Sequence, residues 1–264
     1  MIGAIVGDIV GSKYEFNNHR SKEFELFAKD CRYTDDTVMT VAVAKAIMES
    51  NDADELSTNT VKEMVEIGRA HPHRAYGAHF GQWVWGNNHT PYGSFGNGAA
   101  MRVSAAAETS KSLEEALDKA YIVTAVTHNH PEGIKGAMAV TEAIWMAQNG
   151  KSKADIRDMI ESKYYGLDMT CDWLRKTYYF DETCQGTVPQ AMTAFLESTD
   201  FEDAIRLAIS IGGDSDTLAA ITGSVAEAYY GVPADIQEKA ESYLDESLGQ
   251  ILKEYNEYLL KIKA

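Results

Sequence analysis

Two short acidic clusters concentrate the chemistry of this sequence: Thr34-Asp35-Asp36-Thr37 near the start and Gly212-Gly213-Asp214-Ser215-Asp216-Thr217 near the end. Their carboxylates and hydroxyls are hard oxygen donors of the kind Mg²⁺ and Mn²⁺ prefer. Each cluster runs at once into an apolar helical pattern, which places it at a helix start. A helix cap uses one Thr or Asp to satisfy free amides and favour the dipole. Stacking several exceeds that need, and adjacent carboxylates such as Asp35 and Asp36 repel unless a cation lies between them. Successive side chains at a helix start diverge by about 100°, so these two can grip a cation from two directions while Thr34 adds a hydroxyl. In the second cluster the glycine pair permits a tight turn, and Asp214 and Asp216 flank Ser215. That spacing occurs in Ca²⁺ loops, but the later Gly and Glu of an EF-hand loop are missing. If the fold joins the two clusters, they form one shared metal site.

Three other stretches carry polar chemistry with less force. Ser94 to Arg102 is a small-residue loop whose amides can cradle a phosphate; it matches neither a Walker A loop nor the dinucleotide pattern, and a plain turn explains it more simply. Thr127-His128-Asn129-His130-Pro131-Glu132-Gly133 places two histidines beside a glutamate, without the partners a zinc site needs. A hydrogen-bonding role for His128 is favoured over metal ligation. Glu15 lies between Tyr14 and Phe16 after a glycine-rich run, and nothing local compels a role.

The elements that must position these groups read as helices. Apolar residues recur at helical spacing over 36–49, 112–126, 132–148, 188–197, 201–210 and 215–230. Ser112 with Glu115 and Ser152 with Asp155 predict capping boxes; Asn149-Gly150 and Gly231 predict stops. The tail 234–262 carries apolar residues at helical spacing among alternating charges. Ile2 to Val10, short and glycine-broken, reads equally as a strand or as a helix with close-packed glycines. The stretch 71–100 is irregular, with four His and two Trp, and loops on a rigid scaffold are where binding groups sit. The expectation is all-α: one domain over 1–264, an orthogonal bundle of many helices.

Composition narrows the classes. The formal charge of −16 repels phosphate backbones, which argues against free nucleic acid as a partner. Cys31, Cys171 and Cys184 are odd in number and form no CxxC pair, so a reducing cytoplasm fits best, and Cys31 reads as a buried apolar residue. The N-terminus lacks a basic region and Asp8 breaks its apolar stretch, unlike a signal peptide. No stretch reaches the length of a membrane span.

Taken in order, Gly7-Asp8, Gly11-Ser12 with Glu15, Tyr33-Thr34-Asp35-Asp36-Thr37, Gly96-Asn97-Gly98-Ala99-Ala100-Met101-Arg102, Thr127-His128 with His130-Pro131-Glu132-Gly133, and Gly212-Gly213-Asp214-Ser215-Asp216-Thr217 resemble the motifs of the ADP-ribosylglycohydrolase family. The resemblance runs from residue 2 to about residue 231, and the tail beyond Gly231 carries no matching motif. It implies an all-α fold with a dinuclear Mg²⁺ or Mn²⁺ centre in a cleft. Thr34, Asp35, Asp36, Asp214, Asp216 and Thr217 would be the metal ligands. Glu15 matches the family's mobile active-site glutamate, and Glu15 or Asp36 would accept the proton of the attacking water. Asn97, Gly98, Ala99, Ala100 and Met101 would hold the diphosphate through backbone amides. His128 would lie along the proximal ribose or a phosphate, and Phe95 or Tyr92 would stack on adenine.

The activity implied is removal of ADP-ribose from a modified protein, with an arginine linkage favoured, by cleavage at C1 of the distal ribose. A serine, O-acetyl-ADP-ribose or nucleic-acid linkage is the alternative, as is a non-catalytic ADP-ribose-binding relative. The filled ligand positions argue for an enzyme. The stretch 71–95 is expected to set specificity for the target.

Overall fold

Gly3, Gly7 and Gly11 recur every four residues along the otherwise apolar N-terminal segment, and they decide how the molecule is assembled. The segment is a helix, α1 (Ile2–Gly11), with every residue buried. Its glycine face lies directly against the backbone of the helix Ser215–Tyr230. A Cβ on Gly3 would stand 2.2 Å from Gly223 O, one on Gly7 2.0 Å from Ala219 O, and one on Gly11 2.6 Å from Ser215 O. The contacts run in opposite order along the two helices, so they are antiparallel. The C-terminal end of the first therefore meets the acidic start of the second. A strand is excluded because the four-residue glycine spacing creates a smooth helical face, which a period-two strand would split between two sides.

The computed structural model describes residues 1–263, and Ala264 lies outside it. After α1 come α2 (Asp35–Met48), α3 (Ala53–Ala70), α4 (Ala78–Trp85), the single turns α5 (Gly98–Met101) and α6 (Ser104–Glu108), α7 (Leu113–Ala125) and α8 (Pro131–Gln148). Then follow α9 (Lys153–Lys163), α10 (Cys171–Thr177), α11 (Cys184–Glu197), α12 (Phe201–Ile211), α13 (Ser215–Tyr230), α14 (Ala234–Glu241) and α15 (Glu246–Lys263). This is a single all-α domain. The α13 helix is the axis of the core: its residues from Ser215 to Ala226 are all buried, and α1, α8, α11 and α12 pack around it. Among the described residues no helix is long and apolar enough to cross a membrane.

Helix starts follow local chemistry. Ser152 and Asp155 form the full reciprocal capping box. At Ser112 only half forms: its hydroxyl accepts from Glu115 N at 3.1 Å, while the Glu115 carboxylate turns to Lys111 N at 2.9 Å. The tail is two helices rather than one continuous pattern. Asp245 breaks it by accepting from Leu248 N at 3.1 Å, which starts α15, while its other oxygen accepts from Tyr33 Oη at 2.7 Å. The helices α3, α4 and α10 also lie outside the segments picked out by apolar periodicity. In α3 the apolar stripe is thin among charged residues, and α4 is too short to show a period.

The glycine contact gives a stability prediction with an internal control. Gly7→Ala drives a methyl into the α13 backbone and should cost about 3 kcal/mol or more. Gly249, inside α15 with open space around its Cβ position, should respond oppositely, with Gly249→Ala gaining about 0.5–1 kcal/mol. Urea denaturation of the two variants checks both signs.

Candidate active site

Asp8 is the only carboxylate on α1 and is completely buried. It is held by four donors from the start of α2. Its Oδ2 accepts from Thr34 N at 2.9 Å, Thr37 N at 3.0 Å and Thr37 Oγ1 at 2.5 Å, and its Oδ1 accepts from Thr34 Oγ1 at 2.7 Å. Asp8 thus shares the capping of α2 with Thr34 Oγ1, which accepts from Asp36 N at 3.3 Å, and the Asp35 and Asp36 carboxylates are left free of that task. A second anchor holds Asp35: its N–H donates to Arg74 O at 2.7 Å, in a loop where His73 and Ala75 sit at φ 63° and 66°. Those left-handed conformations are strained for residues with a Cβ.

On the facing side, Gly212 and Gly213 both adopt φ 76°, the left-handed region that the glycine pair was expected to supply. Asp214 occupies the N-cap position of α13 but makes no side-chain cap bond. Its Oδ2 instead accepts from Asn97 Nδ2 at 2.7 Å. The segment carrying Glu15 is pinned to the glycine turn. Asn18 exchanges hydrogen bonds with Gly213 at 2.8 and 2.9 Å and also donates to Glu15 O at 3.0 Å. The Arg20 guanidinium donates to Ile211 O and Tyr178 O.

These segments converge on one cleft of about 510 Å³. Glu15, Asp35, Asp36, Asp214, Asp216 and Thr217 line it together, so the fold joins the two acidic clusters. Carboxylate oxygens of Glu15, Asp214 and Asp216 lie within 4.8 Å of one another. Thr217 Oγ1 bridges the halves by donating to Asp36 Oδ2 at 3.2 Å. Thr34 stands behind the cleft wall, fully buried, with its hydroxyl on Asp8. Asn97, Gly98, Met101 and His128 line the cleft, while Ala99 and Ala100 pack into the core. Of the amides in that loop, Asn97 N donates to Glu182 O, Ala99 N to Gly96 O, and Ala100 N and Met101 N to Asn97 O. Among the described residues Gly98 N alone in this run is left without a partner. Tyr92 and Phe95 both reach the cleft.

The histidines of 71–95 divide. His79 lines the cleft. His71 is buried against Ile67 O and Asp245, and His89 bonds to Trp83 O; these two serve the fold. Reasoning from sequence missed Asp8, Asn18, Arg20, Arg74 and Glu182. Only Asp8 carried a signal, as a lone carboxylate in an apolar helix.

The electrostatics ask for a cation. Among the described residues no Lys or Arg forms an ion pair with Glu15, Asp35, Asp36, Asp214 or Asp216, and Arg102 is the cleft's one permanent positive charge. Glu15 Oε2 and Asp36 Oδ1 are buried without any hydrogen-bond partner, which is costly for a charged oxygen unless something binds it. Burial, then the neighbouring Asp214, pushes Glu15 up to about 7. Burial raises Asp35, Asp36 and Asp216 well above the usual range, helped next by the charge of Asp8 on Asp35 and Asp36 and by that of Asp214 on Asp216. An all-oxygen, carboxylate-rich, unneutralised set fits hard divalent ions.

A family description, ADP-ribosylglycohydrolase, matches residues 1–262 of the chain. The chain is 24% identical to the ADP-ribosylhydrolase ARH3 of Mus musculus, covering 96% of this chain and 91% of that protein. It is 26% identical to the ADP-ribosylarginine hydrolase Tri1 of Pseudomonas putida (strain GB-1), covering 88% of this chain and 70% of that one. A solved structure described as an ADP-ribosylglycohydrolase-related protein complex shares the fold, with a TM-score of 0.69 at 20% identity over 95% of this chain and 94% of the other.

The crowded carboxylates make stability depend on pH and metal together. Glu15 ionises near 4.5 when unfolded and at about 7 in the fold. The unfolded chain thus releases its proton first, and the metal-free protein loses stability as pH rises through that window. A bound cation favours the ionised form and restores it. The rise in Tm on adding Mg²⁺ or Mn²⁺ should therefore be larger at about pH 8 than at about pH 5. Calorimetry showing equal shifts at both pH values, or none, would count against a cation held by these groups.

Proposed function

The chain belongs to the ADP-ribosylglycohydrolase family, and from that premise we propose that it is a metal-dependent hydrolase releasing ADP-ribose from ADP-ribosylated protein, with arginine the linked side chain. The observation that carries this reading is the set of unpaired carboxylates gathered in one cleft beside the Asn97–Gly98 loop. Asp35, Asp36, Asp214 and Asp216, with Thr217, would hold two divalent ions, Mg²⁺ or Mn²⁺; Thr34, expected among the ligands, instead has its hydroxyl on Asp8 behind the cleft. Bound there, the ions would fix the distal ribose hydroxyls and supply an oriented, acidified water.

The chain's own groups do the rest. Glu15 Oε2 and Asp36 Oδ1 are the cleft's buried carboxylate oxygens with no hydrogen-bond partner among the described residues, and either can take the proton of the attacking water. Glu15, with an ionisation near neutrality, is suited to hold a proton and return it to the departing nitrogen. Water oxygen bonds to C1 of the ribose as the C1–N bond breaks, giving ADP-ribose and the unmodified side chain. Asn97, Gly98, Met101 and His128 bind the phosphate end, with Gly98 N as the unspent amide. Ala99 and Ala100 shape that loop from behind. The arginine preference rests on charge: the cleft wall presents Glu15 and Glu182 and favours a cationic guanidinium over a neutral hydroxyl. The substrate partner is then a modified protein rather than nucleic acid, which the acidic surface repels. Three free, buried cysteines suit the reducing cytoplasm as its place of action.

Asp36→Ala and Asp216→Ala should each lower kcat by about three orders of magnitude; Glu15→Gln should cost about 10²- to 10⁴-fold. All three should keep the wild-type circular dichroism. The assay is release of free ADP-ribose from arginine-linked and serine-linked ADP-ribosyl proteins. Undiminished turnover in the aspartate variants would sink the metal-centred mechanism, and a higher kcat/KM on the serine-linked substrate would reassign the linkage.

A further inference from the structure

His128 is held from behind by a chain of donors. Arg102 is 1% exposed and makes no ion pair among the described residues; its Nη2 donates to Thr127 Oγ1 at 2.7 Å. A guanidinium can only donate, so the Thr127 oxygen receives that bond and its own proton remains to be given. The acceptor within reach is His128 Nδ1, 2.7 Å away, and Arg102 Nη2 lies 3.4 Å from the same nitrogen. Nδ1 therefore faces donors on both approaches and must accept, which puts the ring proton on Nε2. Burial, followed by the guanidinium charge, holds His128 well below the usual imidazole range, so the ring is neutral. Among the described residues Nε2 has no hydrogen-bond partner. It stands beside Gly96 and Gly98, where an added Cβ would come within 3.5 and 3.4 Å of it; the two glycines keep its approach from the cleft open.

We propose that Arg102 and Thr127 are positioning residues that lock His128 as a neutral Nε2–H donor aimed at a phosphate oxygen of the ADP-ribosyl group. The ligand half of this statement rests on the function proposed above; the relay itself does not. The opposite tautomer would present a lone pair to an anion and repel it. A freely titrating ring would bind the anion with an affinity that falls as pH rises and the ring loses its charge. Fixing the proton from behind removes both problems, and each hydrogen bond in the series polarises the next, so that the buried cation strengthens the final donor. Arg102 Nε has no hydrogen-bond partner among the described residues, and Nη2 makes both contacts of the relay.

The test uses the full-length, Mg²⁺-loaded protein with ¹⁵N-labelled histidine. Wild type should show a proton on His128 Nε2 and none on Nδ1 throughout the neutral range. Thr127→Val, close in shape but without the hydroxyl, should lose that single tautomer and weaken ADP-ribose binding about tenfold by calorimetry. Thr127→Ser, which keeps the hydroxyl, should restore both. A proton on Nδ1 in wild type overturns the proposal, and so does a Thr127→Val protein with unchanged tautomer and affinity. The predicted tautomer pattern in a wild-type protein that fails to bind ADP-ribose would uphold the relay and refute the reading of the substrate, so the two failures are distinguishable.

Discussion

Everything in this molecule depends on how closely α1 approaches α13. Three glycines on one face of α1 let the helix backbones touch at distances no Cβ would permit. That contact sets the C-terminal end of α1 against the acidic start of α13. It also carries Asp8 into the core at the depth where α2 begins. Two sequence segments almost two hundred residues apart meet because one helix has no side chains along one edge. A looser contact would separate the carboxylates of Glu15, Asp214 and Asp216, which now lie within 4.8 Å of one another.

The tight contact forces an electrostatic conflict, and the fold resolves only part of it. Asp8 is satisfied by four hydrogen bonds from the first turn of α2 and serves as a fixed internal cap. The carboxylates in front of it are only partly satisfied: with Asp8 they raise one another's affinity for protons, and among the described residues Glu15 Oε2 and Asp36 Oδ1 have no hydrogen-bond partner. The surroundings are rigid enough to keep them there. Asn18 and Arg20 pin the Glu15 segment to the glycine turn, and Arg74 O holds the Asp35 amide from a strained loop. Strain and unpaired charge at one place are the usual mark of a site built for a ligand rather than for stability.

How much of this was legible in the sequence follows from how local each signal is. Asp35, Asp36, Asp214 and Asp216 stood out because chemistry was dense within a few residues, and the helices that follow them because their apolar period is long. Asp8 is as important to the geometry as any of them, but its partners lie 26 and 29 residues away, so beyond its place in the Gly7-Asp8 motif it read as a charge interrupting an apolar run, with no role assigned. Asn18 bonds across 195 residues, and Arg74 acts through its backbone oxygen, which carries no residue signature. The Ser94–Arg102 loop was visible as glycine-rich. That most of its amides are already spent within the fold depended on Glu182 O and on the turn geometry, neither of which a pattern of small residues encodes.

The cleft is consequently two electrostatic halves in contact. One half, from Glu15 to Asp216, is anionic and demands cations. The other, around Gly98, His128 and Arg102, holds the cleft's one permanent positive charge and the unspent Gly98 N–H. In the proposed hydrolase the ions would neutralise the first half, and an ADP-ribosyl group would set its diphosphate toward the donors of the second half and its distal ribose toward the ions. The Asn97 to Asp214 hydrogen bond at 2.7 Å ties the two halves into one frame, and in the proposed hydrolase the C1 bond would lie on the carboxylate side of it.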